Sequence, residues 1–319
     1  MSRVDNRSRV STYLSGWMPT GDETRQSVAG YFAAGSNSGV YTDAIQKLSF
    51  PAETISTLSA TTTALQQNAG MANSGVAGYA GGGASPSFVS AIDKITFPAD
   101  TKTTLSATLT TGTSALGAMA NSNVAGYFTG GNDSGGDISR IDKITFPADT
   151  KTTLSATLSG TNQAMSNFAN FGVAGYVAGG YDGAAALNRI DKIAFPADTK
   201  TTLAAVLSAA KRLTTGVADS GVAGYVGGGF TPNTDVIDKL TFSTETRTTL
   251  AATLSTVCRN GEGFANSGVA GYFSIGFDGS ISVDDIDRLA FPAETRTTLA
   301  AVLSTPRQDS AGFSNEGVF

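Results

Sequence analysis

The stretch GVAGYVAGGYDG, residues 172–183, decides the fold. Five of its twelve residues are glycine. Glycine loses more conformational freedom on folding than any other residue, so a lone copy would read as a flexible linker. The string is not alone. It returns as SVAGYFAAG, GVAGYAGGG, NVAGYFTGG, GVAGYVGGG and GVAGYFSIG, with tyrosines at Tyr31, Tyr79, Tyr127, Tyr176, Tyr225 and Tyr272. Successive spacings are 48, 48, 49, 49 and 47 residues. Linkers do not hold register over a whole chain, whereas a fixed period of this size marks a repeat architecture.

One period, residues 164–207, holds four short segments: AMSNFAN (A), VAGYVAGG (B), RIDKIAF (C) and TTLAAVL (D). Segment C and its copies IDKITF, IDKLTF and IDRLAF are short and β-branched, which favours strand over helix. Pro-Ala-Asp-Thr after Phe195 is turn chemistry. Segment D has Ala and Leu that suit a helix, but a helix so short buries little, so strand is preferred. Four strands every 40 to 50 residues are the signature of β-propeller blades. The glycines then belong to short strands near a crowded centre, where a side chain would clash.

The apolar-Tyr-apolar-x-Gly-Gly string resembles the kelch motif. Gly82-Gly83, Gly130-Gly131, Gly179-Gly180 and Gly228-Gly229 match its diglycine, and Ala34-Gly35 and Ile275-Gly276 match half of it. The resemblance covers about residues 27–319 and implies a kelch-like propeller. Kelch blades usually carry a tryptophan near the end of the third strand, where this chain reads FPADTKTTL; Trp17 lies outside the repeats. The array is also similar to repeat proteins encoded by phages of cyanobacteria.

B-C-D sets begin near residues 27, 75, 123, 172, 221 and 268, and A segments lie near 68, 115, 164, 212, 260 and 310. The last A segment has no B-C-D set after it, and the first B-C-D set has no A segment before it. The expectation is an all-β, six-bladed propeller of four-stranded blades over residues 27–319, closed by the N- and C-terminal segments. Closure removes an open, aggregation-prone edge. Residues 1–26 read as a separate N-terminal arm, with Arg3, Arg7, Arg9 and Trp17 as its candidate assembly contacts.

Charged residues are 15% of the chain and the net charge is −5, against the basic stripe of a nucleic-acid binder. No apolar run is long enough to span a membrane, and the first residues lack the apolar core of a signal peptide. With no histidine and one cysteine, Cys258, histidine-based nucleophilic catalysis and copper or zinc centres have no ligands to use. The acids Asp93, Asp142, Asp191, Asp238 and Asp287 recur too evenly for catalysis and read as solvated pairs or ties between blades. The NDSGGD loop, Asn132–Asp137, resembles a calcium loop but is read as a plain polar loop. The expectation is therefore no enzyme, no cofactor and no metal.

Comparing the copies separates two rims. The A–B turn (ANSGV) and the C–D turn (FPADT) hardly vary, whereas the B–C and D–A connections differ in length and chemistry. Antiparallel strands put the two constant turns on one rim and the two variable connections on the other. Loops on a rigid scaffold commonly carry recognition. Candidate contacts on the variable rim are Tyr41, Phe88, Asp133, Tyr181, Asp182, Arg212, Phe230, Arg259, Phe277 and Arg307. The expected function is a structural or adhesive component of a virion, present in several copies. It would contact other virion proteins through the arm and a host-surface glycan or protein through the rim. The alternative is a cellular glycan- or protein-binding propeller.

Overall fold

The computed structural model describes residues 28–315; the arm, including Arg3, Arg7, Arg9 and Trp17, lies outside them. Six antiparallel four-stranded sheets form a closed β-propeller, each sheet ordered A-B-C-D. Blade 1 joins its A strand, Ala311–Ser314, to Ala29–Ala33, Ala44–Ser49 and Thr54–Thr61. The A strands of blades 2 to 6 are Ala69–Asn73, Gly117–Asn121, Ser166–Asn170, Thr215–Asp219 and Gly263–Asn266. The seam is the pairing of Gly30 with Ser314 through Ala33 with Ala311. The expected six-fold count and the closure by both ends of the repeat region are both present.

Segment D is shorter than expected in blades 2, 3, 4 and 6, whereas it runs over Thr54–Thr61 in blade 1 and Thr246–Cys258 in blade 5. In blade 4 the strand covers Thr199–Thr202, not TTLAAVL. Beyond it the chain keeps only spaced hydrogen bonds to its neighbour, Leu203 N–H to Ile190 C=O and Leu207 N–H to Asn188 C=O. Leu207 is buried, as is its counterpart Leu254, which stays inside the longer strand Thr246–Cys258 of blade 5. Strand C shows why its alternation was imperfect. Both faces of a blade are covered, so Ile190, Asp191 and Ile193 are all buried.

The GY pair in the opening string has one task per residue. Each strand-B glycine forms the floor under a large residue of the preceding blade's A strand. A Cβ on Gly175 would overlap Met119, and one on Gly30 would overlap the Phe264 ring. Each tyrosine reaches the other way. Tyr127 stacks on Phe195 of the next blade at 5.1 Å, and its hydroxyl donates to Asp198 at 2.7 Å. Lys143 pairs with the same carboxylate at 2.6 Å. The unit repeats at every junction, ending with Tyr272 and Arg288 on Glu53 across the seam. Burial first, and the neighbouring carboxylate second, raise these tyrosine hydroxyls far above their usual range.

The recurrent aspartates tie each blade backward. Asp142 accepts Thr110 N–H at 2.9 Å and Asp191 accepts Ser159 N–H at 2.9 Å, both from the preceding blade. All five are at most 5% exposed, so they are buried ties and not solvated pairs. Blade 1 carries Gln46 at this position, and Arg307 donates to its Oε1 at 2.6 Å.

A closed ring of peptide groups circles the axis. Gln67, Ala115, Ala164, Leu213, Asn260 and Asp309 all have φ between 50° and 58°. Each donates its N–H to the carbonyl of its counterpart in the preceding blade, at 2.7 to 3.0 Å. The donor of Gln67 finds Asp309, which completes the circle. Side chains other than glycine rarely adopt this left-handed backbone, and here the bond to a neighbouring blade accompanies it six times.

Candidate functional site

The variable rim places five of the expected contacts in one line. Backbone pairs set Arg212 beside Phe230 and Arg259 beside Phe277, each through two N–H···O=C bonds of 2.8 to 3.2 Å. Each guanidinium then also covers the aromatic ring of the preceding blade. Arg212 lies 4.4 Å from the Tyr181 ring centre and 5.3 Å from that of Phe230. Arg259 lies 4.6 Å from Phe230 and 4.7 Å from Phe277. The result is a ladder, Tyr181–Arg212–Phe230–Arg259–Phe277, across blades 4 to 6. All five residues are half-buried. Stacking on an aromatic face holds a guanidinium through the ring quadrupole and leaves its in-plane N–H donors free of the ring, although Arg212 Nε is itself buried without a partner.

Among the described residues, no carboxylate lies within ion-pair distance of either guanidinium. Arg259 Nη1 donates to Asn233 Oδ1 at 3.0 Å. Neither guanidinium has a carboxylate in contact, although the charge of Arg259 reaches Asp309 and draws its carboxyl down against the rise from burial. The acids nearest in sequence are turned to their own loops. Asp182 accepts the N–H groups of Ala185 and Ala184, which hold its carboxyl below the usual range. Asp278 does the same for Ile281 and Ser280. Blades 1 to 3 carry Gln308 with Ser36, Gln66 with Ala84, and Ser114 with Asn132 at the ladder positions. The cationic, aromatic surface is thus confined to half of the rim.

The other expected contacts lie elsewhere. Tyr41 sits in a small hairpin of blade 1, and Phe88 in one of blade 2 beside a shallow cavity of about 460 Å³. Asp133 accepts Gly135 N–H and the Thr111 hydroxyl, and Asp137 accepts Asn132 Nδ2 on Oδ1 while its buried Oδ2 accepts nothing. Arg307 is not a rim contact. It is 1% exposed, donating to the carbonyls of Ala34 and Ala44 as well as to Gln46. It lies at the seam, where its donors meet Gln46, the residue that stands at the recurrent aspartate's position in blade 1. Cys258 is also buried, and burial followed by the charge of Asp287 pushes its thiol up to about 12, which removes reactivity.

Two features escaped the reading of the sequence. On the constant rim Val28, Val76, Val124, Val173 and Val222 are 40 to 60% exposed, one in each of blades 1 to 5, while Val269 of blade 6 is partly buried. They stand in every copy of GVAGY and were absorbed there into strand B. In the axial channel, Glu262 and Asp309 face a space lined by all six A strands. Burial, then the charge of Asp309, holds the Glu262 carboxyl well above its usual range, and burial raises Asp309 to about 6. Aligning the copies would have singled out Glu262, because its counterparts are Ala69, Gly117, Ser166, Thr215 and Ala311.

Among the described residues no three acidic or cysteine side chains gather as a metal centre, and no helix is long and apolar enough to cross a membrane. No protein-family model matches the chain, and no curated protein matches it.

Proposed function

We propose that this kelch-like propeller is a non-enzymatic binding and assembly module whose variable rim recognises an anionic partner. The observation that carries the reading is the Tyr181–Arg212–Phe230–Arg259–Phe277 ladder, with two guanidiniums unpaired by any described carboxylate. Planar guanidiniums match carboxylate and sulfate groups in two-pronged fashion, and the flanking rings offer flat apolar faces. A surface glycan bearing uronic, sialic or sulfated residues has this chemistry. A β-propeller is a common scaffold for such work, with loops displayed on a rigid ring.

We place the module on a virion, a setting in keeping with a composition rich in Gly, Ser, Thr and Ala and poor in charge. In that setting the constant rim is the attachment face. Its repeated exposed valines suit a symmetric neighbour, as the ladder suits an asymmetric one.

The test is binding of the full chain to immobilised glycans, acidic and neutral in parallel. Arg212→Ala with Arg259→Ala should lower affinity for acidic glycans about thirtyfold or more, on the scale of about 2 kcal/mol for a strong contact. Val124→Ser with Val173→Ser and Val222→Ser should leave glycan binding unchanged. Equal binding by the arginine variant, or loss confined to the valine variant, would reverse the assignment of the rims.

A further inference from the structure

The axial channel is not uniform around its circumference. Blades 6, 1 and 2 are adjacent, and they line it with Asn260 and Glu262, then Asp309, then Asn68. The opposite arc carries no acidic side chain and mixes apolar Leu116, Met165 and Leu213 with Ser166, Asn167, Thr214 and Thr215. The channel widens into two chambers of about 50 and 60 Å³, and Glu262 and Asn68 line both. That is space for a few water molecules or one partly hydrated ion.

The oxygens on the polar arc lack partners. The Glu262 carboxylate has no hydrogen-bond donor and no cation among the described residues, and the charge nearest to it is Asp309, of the same sign. Asn68 is 4% exposed, and its Oδ1 accepts nothing. Asn260 donates Nδ2 to Asp309 at 2.9 Å, while its own Oδ1 is buried and accepts nothing. Asn167, deeper along the channel and 9% exposed, donates Nδ2 to Thr129 and likewise leaves Oδ1 open. Enclosed amide acceptors without donors are costly. Glu262 is half-buried beside them, and a cation there would satisfy carboxylate and amide oxygens together and draw the Glu262 carboxyl back to its ionised form.

We propose that the axial channel binds one hard divalent cation of the calcium class, ligated by Glu262 and Asn68 Oδ1 with channel waters, and neutralised by Asp309 at the mouth. The donors are all oxygen, which selects hard ions over zinc or copper. They come from separate blades with water between, which suits calcium's loose, high coordination better than magnesium's rigid octahedron. No carboxylate cluster announces the site because most of its ligands are amides and water.

The test uses the full chain, stripped with chelator and exchanged into buffer at pH 7.5. Calorimetric titration with calcium chloride should show one ion per chain. Saturating calcium, at about a hundredfold excess over Kd, should raise the melting temperature by roughly 5 °C. Glu262→Gln should abolish both responses and, in chelator, melt at or above the unsubstituted protein. Asn68→Ala, a milder change, should weaken binding at least tenfold while the far-ultraviolet dichroism stays unchanged. Asp133→Asn should retain the response, because Asp133 lies outside the channel and already accepts Gly135 N–H and the Thr111 hydroxyl. The proposal fails if calcium gives neither heat nor thermal shift, if Glu262→Gln or Asn68→Ala binds as before, or if Asp133→Asn is the variant that loses the response.

Discussion

Removing Glu53 tests whether the ring is closed as firmly at its seam as elsewhere. Glu53 accepts the Tyr272 hydroxyl at 2.8 Å and pairs with Arg288 at 2.7 Å, joining blade 6 to blade 1. Its counterpart Asp149 accepts Tyr79 at 2.8 Å and Lys94 at 2.6 Å inside the chain. A hydrogen bond to a charged acceptor contributes about 1.5 to 3 kcal/mol. The Arg288 and Glu53 side chains are 25% and 28% exposed, so their ion pair adds only about 0.5 kcal/mol after screening. Glu53→Ala should therefore cost about 2 to 3 kcal/mol, and Asp149→Ala about the same. Equilibrium urea unfolding followed by circular dichroism measures both, the midpoint moving while the slope stays fixed. If Glu53→Ala costs under about 0.5 kcal/mol while Asp149→Ala costs its full share, the seam is open in solution and the closure argument is wrong.

Other outcomes follow from the same contacts. Gly30→Ala should destabilise more than Gly175→Ala, which itself should cost about 1 to 3 kcal/mol, because a Cβ meets the rigid Phe264 ring in one case and the pliant Met119 in the other; equal melting temperatures would contradict this. Burial pushes the Asp142 carboxyl up, but hydrogen bonds from Thr110 N–H, Thr153 and the Thr110 hydroxyl, with the charge of Arg140, bring it net below 3.8. A carboxyl with a lowered folded pKa stabilises fully above its unfolded value and loses that contribution as pH falls through the folded one. The penalty of Asp142→Asn should thus be constant above about pH 4 and shrink on further acidification, and a penalty independent of pH down to 2 would refute it.

The repeats made the blade count and the seam legible, since the period of Tyr31 to Tyr272 is visible without any structure. What stayed hidden depends on neighbours across blades. Tyr181, Arg212, Phe230, Arg259 and Phe277 were each marked as loop residues, but their alternation into one ladder arises from sideways distances that no single repeat encodes. Arg307 was misplaced because only its pairing with Gln46 explains it, and that exchange of an aspartate for an amide lies 261 residues away in the chain. The end of strand D was invisible because the leucine pattern is the same in both outcomes: Leu207 lies past the end of its strand and Leu254 inside one, and both are buried.

The seam also gives the molecule an orientation. The described chain enters the propeller at Val28 and leaves it at Asn315, whose N–H donates to the carbonyl of Ala29 at 2.9 Å. Entry and exit are therefore side by side on the short-turn rim. A tether through either end holds that rim toward its support and turns the arginine–aromatic face to the outside, whatever the length of the tether. Copies fixed in this way would all display the same face in the same direction, so weak single contacts could add on a crowded target.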